Sequence, residues 1–306
     1  MRVWSSLLAL LVLVTGGIAS ADSPVFDDLQ LLRGFARGAG ALADAETTLD
    51  SATIDGQLKE AAGKTVVSPQ AATPCALGPE QSLYDAVVPA VVAVGSVFKC
   101  GKCNDWHVGQ MASGWILSAD GLVVTNHHVL ERAEGNRYGV MTSDGAVYGV
   151  QKVVAADVVG DAAVIHIDTR GRSLPFLRLG PRAACGSPVT VISHPKGRFY
   201  SLTTGIVSRY HRMWYDEHPN RAKFNVGQTP ATWMTVTADF AIGSSGGPVF
   251  NAVGEVVGMV SRTSPGRAAA PGKPPEQPPA GGEQMIFKEC VSADTLRALV
   301  GGELTP

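Results

Sequence analysis

Short apolar, β-branched runs recur along this chain, and each is closed by Gly, Pro, Asn or Asp. That rhythm marks buried strands separated by turns. The first run is Val87-Val88-Pro89-Ala90-Val91-Val92-Ala93-Val94. Trp115–Leu117 and Leu122–Thr125 flank an Asp120-Gly121 turn and read as a hairpin. Tyr138–Met141 and Val147–Val154 flank Asp144-Gly145, and Ala162–Ile167 completes a first group of six. A second group begins near Phe176. Its strands are predicted at Val189–Ser193, Leu202–Ser208, Trp233–Thr237, Gly247–Asn251, Val256–Ser261 and Met285–Val291. Two sets of six predict an all-β fold of two β-barrels, the first over about 84–170 and the second over about 175–291. Ser292 is placed to cap a short C-terminal helix, Ala293–Val300.

Other segments break this rhythm. Arg2, the apolar core Leu7–Val14 and the small residues Ala19-Ser20-Ala21 form a secretory signal pattern over 1–21, with a run too short for a membrane span. It predicts an exported chain of roughly 285 residues, with a periplasmic or extracellular location and no stable membrane insertion. Residues 22–79 are rich in Ala, Gly and Asp. They read as a flexible leader or propeptide, or as a helix docked on the body with Leu29, Leu31, Leu32 and Phe35 on one face. Gly34, Gly38 and Gly40 weaken the helix. Tyr210–Thr229 reads as a long polar and aromatic loop. Ser264–Gly282, rich in Pro and Gly, reads as a mobile loop unable to join a ladder.

Formal net charge is −2 and there is no basic block, which argues against nucleic acid or anionic membrane as a partner. Five cysteines, Cys75, Cys100, Cys103, Cys185 and Cys290, lie beyond the signal. Export permits disulfides, and an odd count leaves at least one thiol over. Cys100 and Cys103 are read as a local disulfide, or as members of two separate bridges. A zinc site lacks two further ligands at a standard spacing, although Asp105 and His107 are close. A redox dithiol lacks its βαβ context. No metal or other cofactor is expected.

Three stretches carry the chemistry: Thr125-Asn126-His127-His128-Val129, Gly160-Asp161-Ala162-Ala163-Val164 and Gly243-Ser244-Ser245-Gly246-Gly247-Pro248. A serine hydroxyl becomes a useful nucleophile when an imidazole takes its proton and a carboxylate fixes the imidazole tautomer. The order His, Asp, Ser matches one arrangement of such a triad. The serine context also fits a G-x-S-x-G elbow, but that fold needs its histidine after the serine, and the last histidine is His218.

Ala112-Ser113-Gly114-Trp115-Ile116, Asp120-Gly121, Thr125–Val129, Asp161–Val164, Gly205-Ile206-Val207-Ser208 and Ser244–Pro248 together resemble trypsin-like peptidases of the HtrA/Deg type. The likeness covers about 84–291. It implies a chymotrypsin-like double barrel within a peptidase domain of about 80–300, and serine endopeptidase activity on proteins or peptides. It also selects His128, directly before the Val, as base, with Asp161 as its orienting acid and Ser245 as nucleophile. The N–H groups of Gly243 and Ser245 would form the oxyanion hole. A protease fold retained as a latent binding or scaffold protein is the alternative.

His127 is expected to be structural or at the surface, on the reasoning that neighbours at a strand end point opposite ways. His166 is expected to be an ordinary strand residue and His194, in His194-Pro195-Lys196-Gly197, part of a turn. The chain ends too early for the PDZ domain many relatives carry. Ser244 stands where trypsin-like zymogens have an Asp, so activation by N-terminal insertion is not expected. Asp239 lies six residues before Ser245. It reads either as a carboxylate at the pocket base, favouring Lys or Arg, or as a support for the loop in a pocket for small or aliphatic side chains. Val260-Ser261-Arg262-Thr263 reads as the strand that pairs with substrate, with Thr263 narrowing the pocket entrance.

Overall fold

The computed structural model describes residues 24–67, 82–131, 136–213, 230–265 and 285–301. The signal segment, Cys75, and most of the two long loops lie outside them.

Six antiparallel strands close a first barrel in the order β1-β2-β3-β6-β5-β4. They are β1 (Val91–Lys99), β2 (Trp106–Ile116), β3 (Leu122–Thr125), β4 (Arg137–Met141), β5 (Val147–Asp157) and β6 (Ala162–Ile167). The second barrel closes in the order β10-β11-β12-β9-β8-β7. Its strands are β7 (Pro188–Ser193), β8 (Ser201–Met213), β9 (Ala231–Val236), β10 (Pro248–Phe250), β11 (Val256–Pro265) and β12 (Ile286–Ser292). These are the two barrels expected from the strand pattern, in the chymotrypsin-like architecture that the resemblance implies. Closure pairs every strand of each barrel with two neighbours.

Local departures have simple causes. The run from Val87 opens with a helical turn, α3 (Leu83–Val87), and a 3₁₀ turn over Val88–Ala90. The strand itself starts only at Val91, because Pro89 has no N–H to give to a ladder. Ser264 and Pro265, expected in a loop, instead extend β11 and face Phe287 and Ile286 of β12. A proline at a strand end forfeits only one donor.

Ahead of the barrels lie two helices, α1 (Asp28–Asp44) and α2 (Ser51–Ala61). Asp27 and Asp50 cap them, accepting the N–H of Gln30 at 2.9 Å and of Thr53 at 2.8 Å. Both helices dock on the first barrel, where Phe35, Ile54 and Leu58 are fully buried. Each such side chain contributes about 1.5–3 kcal/mol. The glycines that weaken α1 as an isolated helix let it approach. A Cβ at Gly38 would lie 2.7 Å from Val147 of β5, and one at Gly40 2.7 Å from the Trp106 ring of β2. The helical alternative for this segment is therefore the one present in residues 28–61.

The last described element is α5 (Ala293–Val300), capped by Ser292, whose hydroxyl accepts the Thr295 N–H at 3.4 Å. The Val66 N–H reaches the Leu299 carbonyl at 3.0 Å, so the N-terminal segment also meets α5. Among the described residues, no helix is long and apolar enough to cross a membrane.

Candidate active site

His128 belongs to a single helical turn, α4 (His127–Leu130), immediately after β3. The two histidines therefore diverge by the helical step rather than by the alternation of a strand. His127 is 1 % exposed, and its Nδ1 lies 2.7 Å from Glu131 Oε1, one turn on. His128 is partly exposed. Its Nδ1 lies 2.8 Å and 3.0 Å from the two carboxylate oxygens of Asp161.

Asp161 sits just before β6 with φ at 50°, a left-handed geometry that Asp tolerates better than most residues. Its carboxylate also accepts the His128 backbone N–H at 3.1 Å and the Ser261 hydroxyl at 2.5 Å. Burial pushes the Asp161 carboxyl up. The His128 imidazole, the Ser261 hydroxyl and the His128 N–H together outweigh that and hold it at about 2. Neutral pH therefore finds it ionised and able to orient and stabilise an imidazolium.

Ser245 comes from the second barrel. Its hydroxyl donates to the Ser261 carbonyl at 3.1 Å, and Ser245 and His128 line one pocket of about 240 Å³. The other walls are Phe240, Ala241, Ile242, Val260, Ser261, Arg262 and Thr263. Past Met259 the edge of β11 that faced β10 first bonds the nucleophile loop, with the Val260 carbonyl accepting the Gly246 N–H at 2.9 Å and the Val260 N–H donating to the Gly247 carbonyl at 2.8 Å, and beyond Val260 it pairs with no strand among the described residues. Arg262 turns its guanidinium to Glu289 at 2.7 Å, over the Trp233 ring.

The loop ahead of Ser245 is braced across the barrel interface. The Ser113 N–H donates to the Ser245 carbonyl at 2.7 Å. The Ser113 hydroxyl donates to the Gly243 carbonyl at 2.9 Å and accepts the His194 N–H at 3.1 Å. Gly243 has φ at 98°, and a Cβ there would lie 2.5 Å from the His194 carbonyl oxygen, so only glycine fits. Ser244 is fully buried and accepts the Ser193 hydroxyl at 3.0 Å. Where zymogens have an ion-pairing Asp, this chain has an internal hydroxyl contact.

His194 opens the 3₁₀ turn Pro195–Gly197, is fully buried, and its Nδ1 accepts the Tyr200 N–H at 3.0 Å. Burial lowers its pKa to about 4, so it stays neutral. His166 is a half-buried β6 residue whose Nε2 lies 3.1 Å from the Asp120 carbonyl.

Of the two readings of Asp239, its contacts fit the support of the loop. Its side chain is 83 % exposed and paired with Lys288 Nζ at 2.6 Å, and it does not line the pocket. The same Lys288 ammonium donates to the Phe240 carbonyl at 2.8 Å. Asp239 thus ties the pre-nucleophile loop to β12 instead of offering a buried charge to a basic substrate. Among the described residues, Cys100, Cys103, Cys185 and Cys290 are not joined to one another by a disulfide; Cys75 lies outside those residues. Two contributions were not read from sequence, the Ser261 contact to Asp161 and the Ser113 brace. The motif Ala112-Ser113-Gly114 was visible, but a bond between residues 130 positions apart was not.

Comparison with known proteins agrees with this geometry. Residues 112–259 match the trypsin-like peptidase domain. A probable periplasmic serine endoprotease DegP-like of Pseudomonas fluorescens is 35 % identical over 155 residues, which is 50 % of this chain and 29 % of the relative. The DegP-like protein of Brucella suis is 31 % identical over 167 residues, 52 % of this chain and 30 % of its own. The mitochondrial serine protease HTRA2 of Bos taurus is 36 % identical over 149 residues, 48 % and 30 % of the two chains. The matched segment is about three tenths of each relative's length. This chain carries a trypsin-like peptidase domain homologous to the DegP and HtrA serine endoproteases.

Proposed function

We propose that this protein is an exported serine endopeptidase of the cell envelope that cleaves proteins or peptides through an acyl-enzyme. The observation that carries the reading is the 2.8 Å contact of His128 with an ionised Asp161, beside a pocket that His128 shares with Ser245. Ser245 Oγ attacks the peptide carbonyl while His128 accepts its proton, and Asp161 stabilises the imidazolium. The Gly243 and Ser245 N–H groups bind the oxyanion, each such donor being worth about 3 kcal/mol of barrier. His128 then protonates the leaving amine. Water, deprotonated by the same imidazole, releases the acyl group and regenerates the hydroxyl.

Phe240, Ala241, Ile242 and Val260 give the pocket an apolar wall, and Asp239, which does not line it, is paired at the surface with Lys288. Small or aliphatic side chains therefore suit it better than Lys or Arg. The signal pattern at 1–21 and the relatives named as periplasmic support an envelope location.

A fluorophosphonate probe tests the assignment. Labelling should map to Ser245 and vanish in Ser245→Ala and His128→Ala. A folded protein that never labels would instead be a protease-fold binding module.

A further inference from the structure

The tip of the β1–β2 hairpin carries a second cluster of reactive side chains, none of which lines the peptidase pocket. Residues 100–105, Cys-Gly-Lys-Cys-Asn-Asp, connect the strands, and ladder pairing sets His107 of β2 opposite Phe98 of β1. The hairpin thereby adds the ligand that no sequence spacing supplied. Cys103 Sγ lies 2.9 Å from His107 Nε2 and 3.0 Å from Cys100 Sγ. All three ligand atoms fall within 4.8 Å of one another.

The turn holds the two sulfurs together. Asn104 adopts φ 58°, and its N–H reaches the Cys100 carbonyl at 3.3 Å, folding the loop back on itself. The base of the hairpin is anchored by Lys99, which pairs with Asp44 of α1 at 3.0 Å and lies over the Trp106 ring. The His107 ring is backed by Phe98 at 5.8 Å.

We propose that Cys100, Cys103 and His107 form a surface site for a borderline or soft cation of the zinc type, separate from the peptidase site. Two sulfurs and one imidazole nitrogen suit such ions and not calcium or magnesium, which take oxygen ligands. Two sulfurs each about 2.3 Å from a tetrahedral zinc are about 3.7 Å apart, so the observed 3.0 Å pair must open slightly. A disulfide would require closure to about 2.05 Å. Binding displaces one proton from each thiol to solvent, forms two metal–sulfur bonds and one metal–nitrogen bond, and leaves a fourth position to water.

The full-length protein, reduced and desalted without oxygen, provides the test by titration with Co²⁺. One equivalent should give sulfur-to-cobalt charge-transfer absorption with the intense visible bands of a tetrahedral ion, and Zn²⁺ should bleach both. Cys100→Ser and Cys103→Ser should abolish the charge-transfer signal, and His107→Ala should weaken binding at least about tenfold. Zinc should also shield Cys100 and Cys103 of the unmutated protein from iodoacetamide while the exposed Cys185 still reacts, a readout that needs no variant. No Co²⁺ signal in folded, reduced protein, or equal alkylation with and without zinc, would overturn the proposal. So would recovery of the protein from its native compartment with a Cys100–Cys103 disulfide and no metal.

Discussion

Two histidine–carboxylate pairs stand side by side in this molecule, and only one is placed to move a proton to a substrate. His127 with Glu131 and His128 with Asp161 have nearly the same separation, 2.7 Å and 2.8 Å. Access separates them. The His127 and Glu131 side chains are 2 % and 8 % exposed, whereas the His128 ring is 34 % exposed above an Asp161 carboxylate at 4 %. A sealed imidazole can brace a turn but cannot reach a scissile amide. An imidazole with one nitrogen on a buried anion and its other side facing a pocket can do so. The pairs differ in origin too. Glu131 is four residues from His127, a local helical contact, while Asp161 arrives from another strand 33 residues away.

The strongest way to break the comparison is to delete each imidazole in turn. His128→Ala should reduce turnover by about 10⁴–10⁶, with the thermal transition little changed, because triad members act as a unit. His127→Ala should leave turnover within about tenfold. Kinetics on a peptide substrate decide it. A dead His127 variant beside an active His128 variant would reverse the assignment of the base.

Stability should rank the pairs the other way. Removing the His127 ring leaves Glu131 buried beside a void, a loss of about 1–3 kcal/mol. Urea denaturation of Ser245→Ala and of Ser245→Ala/His127→Ala measures it without autolysis. No difference would mean that the His127–Glu131 contact is not formed in solution.

The acid limb probes the other carboxylate. Asp161 is held at about 2 against 3.8 in an unstructured chain. A depressed carboxyl stabilises the fold above the unfolded value, and that stability is lost as pH falls from about 4 to about 2. It amounts to about 2 kcal/mol. The stability gap between the parent and Asp161→Asn should therefore shrink across that window, and a gap independent of pH would contradict the depressed pKa.

How far these features are legible in sequence follows from how local they are. Most strands were visible as short apolar runs between turn residues, but Trp106–Gly114 of β2 and Arg209–Met213 of β8 were not, because polar residues interrupt them and pairing alone makes them strands. The candidate residues His128, Asp161 and Ser245 could be picked out because each has its own local context. The α1 docking was obscured by Gly38 and Gly40. They are poor for a lone helix, yet they are the contact surface once β5 and Trp106 are present. Tertiary packing overrode propensity there. His127 could not be told from a surface residue, since its burial depends on what surrounds α4. His107 became a candidate ligand only through strand pairing.

The two readings of Asp239 stayed open in the sequence for the same reason: a six-residue offset fixes neither the path of the loop nor the partner, and Lys288 lies 49 residues away. It also sharpens the comparison with a carboxylate at the opposite extreme of burial. At 83 % exposure its pair with Lys288 is a surface ion pair, worth up to about 1 kcal/mol and weakened by salt. The Lys288 ammonium holds its carboxyl below the usual range, but water would solvate either group if the other were removed. Asp239→Ser should thus cost little stability and change cleavage after Ala and after Arg by the same factor, only a few-fold, through slight loosening of the loop that Lys288 secures at Phe240. A pocket carboxylate would behave otherwise, because losing a buried charge partner costs Arg substrates about 2–5 kcal/mol and leaves Ala substrates alone. Matched Arg and Ala peptides separate the two cases, and a selective loss on Arg would return Asp239 to the pocket.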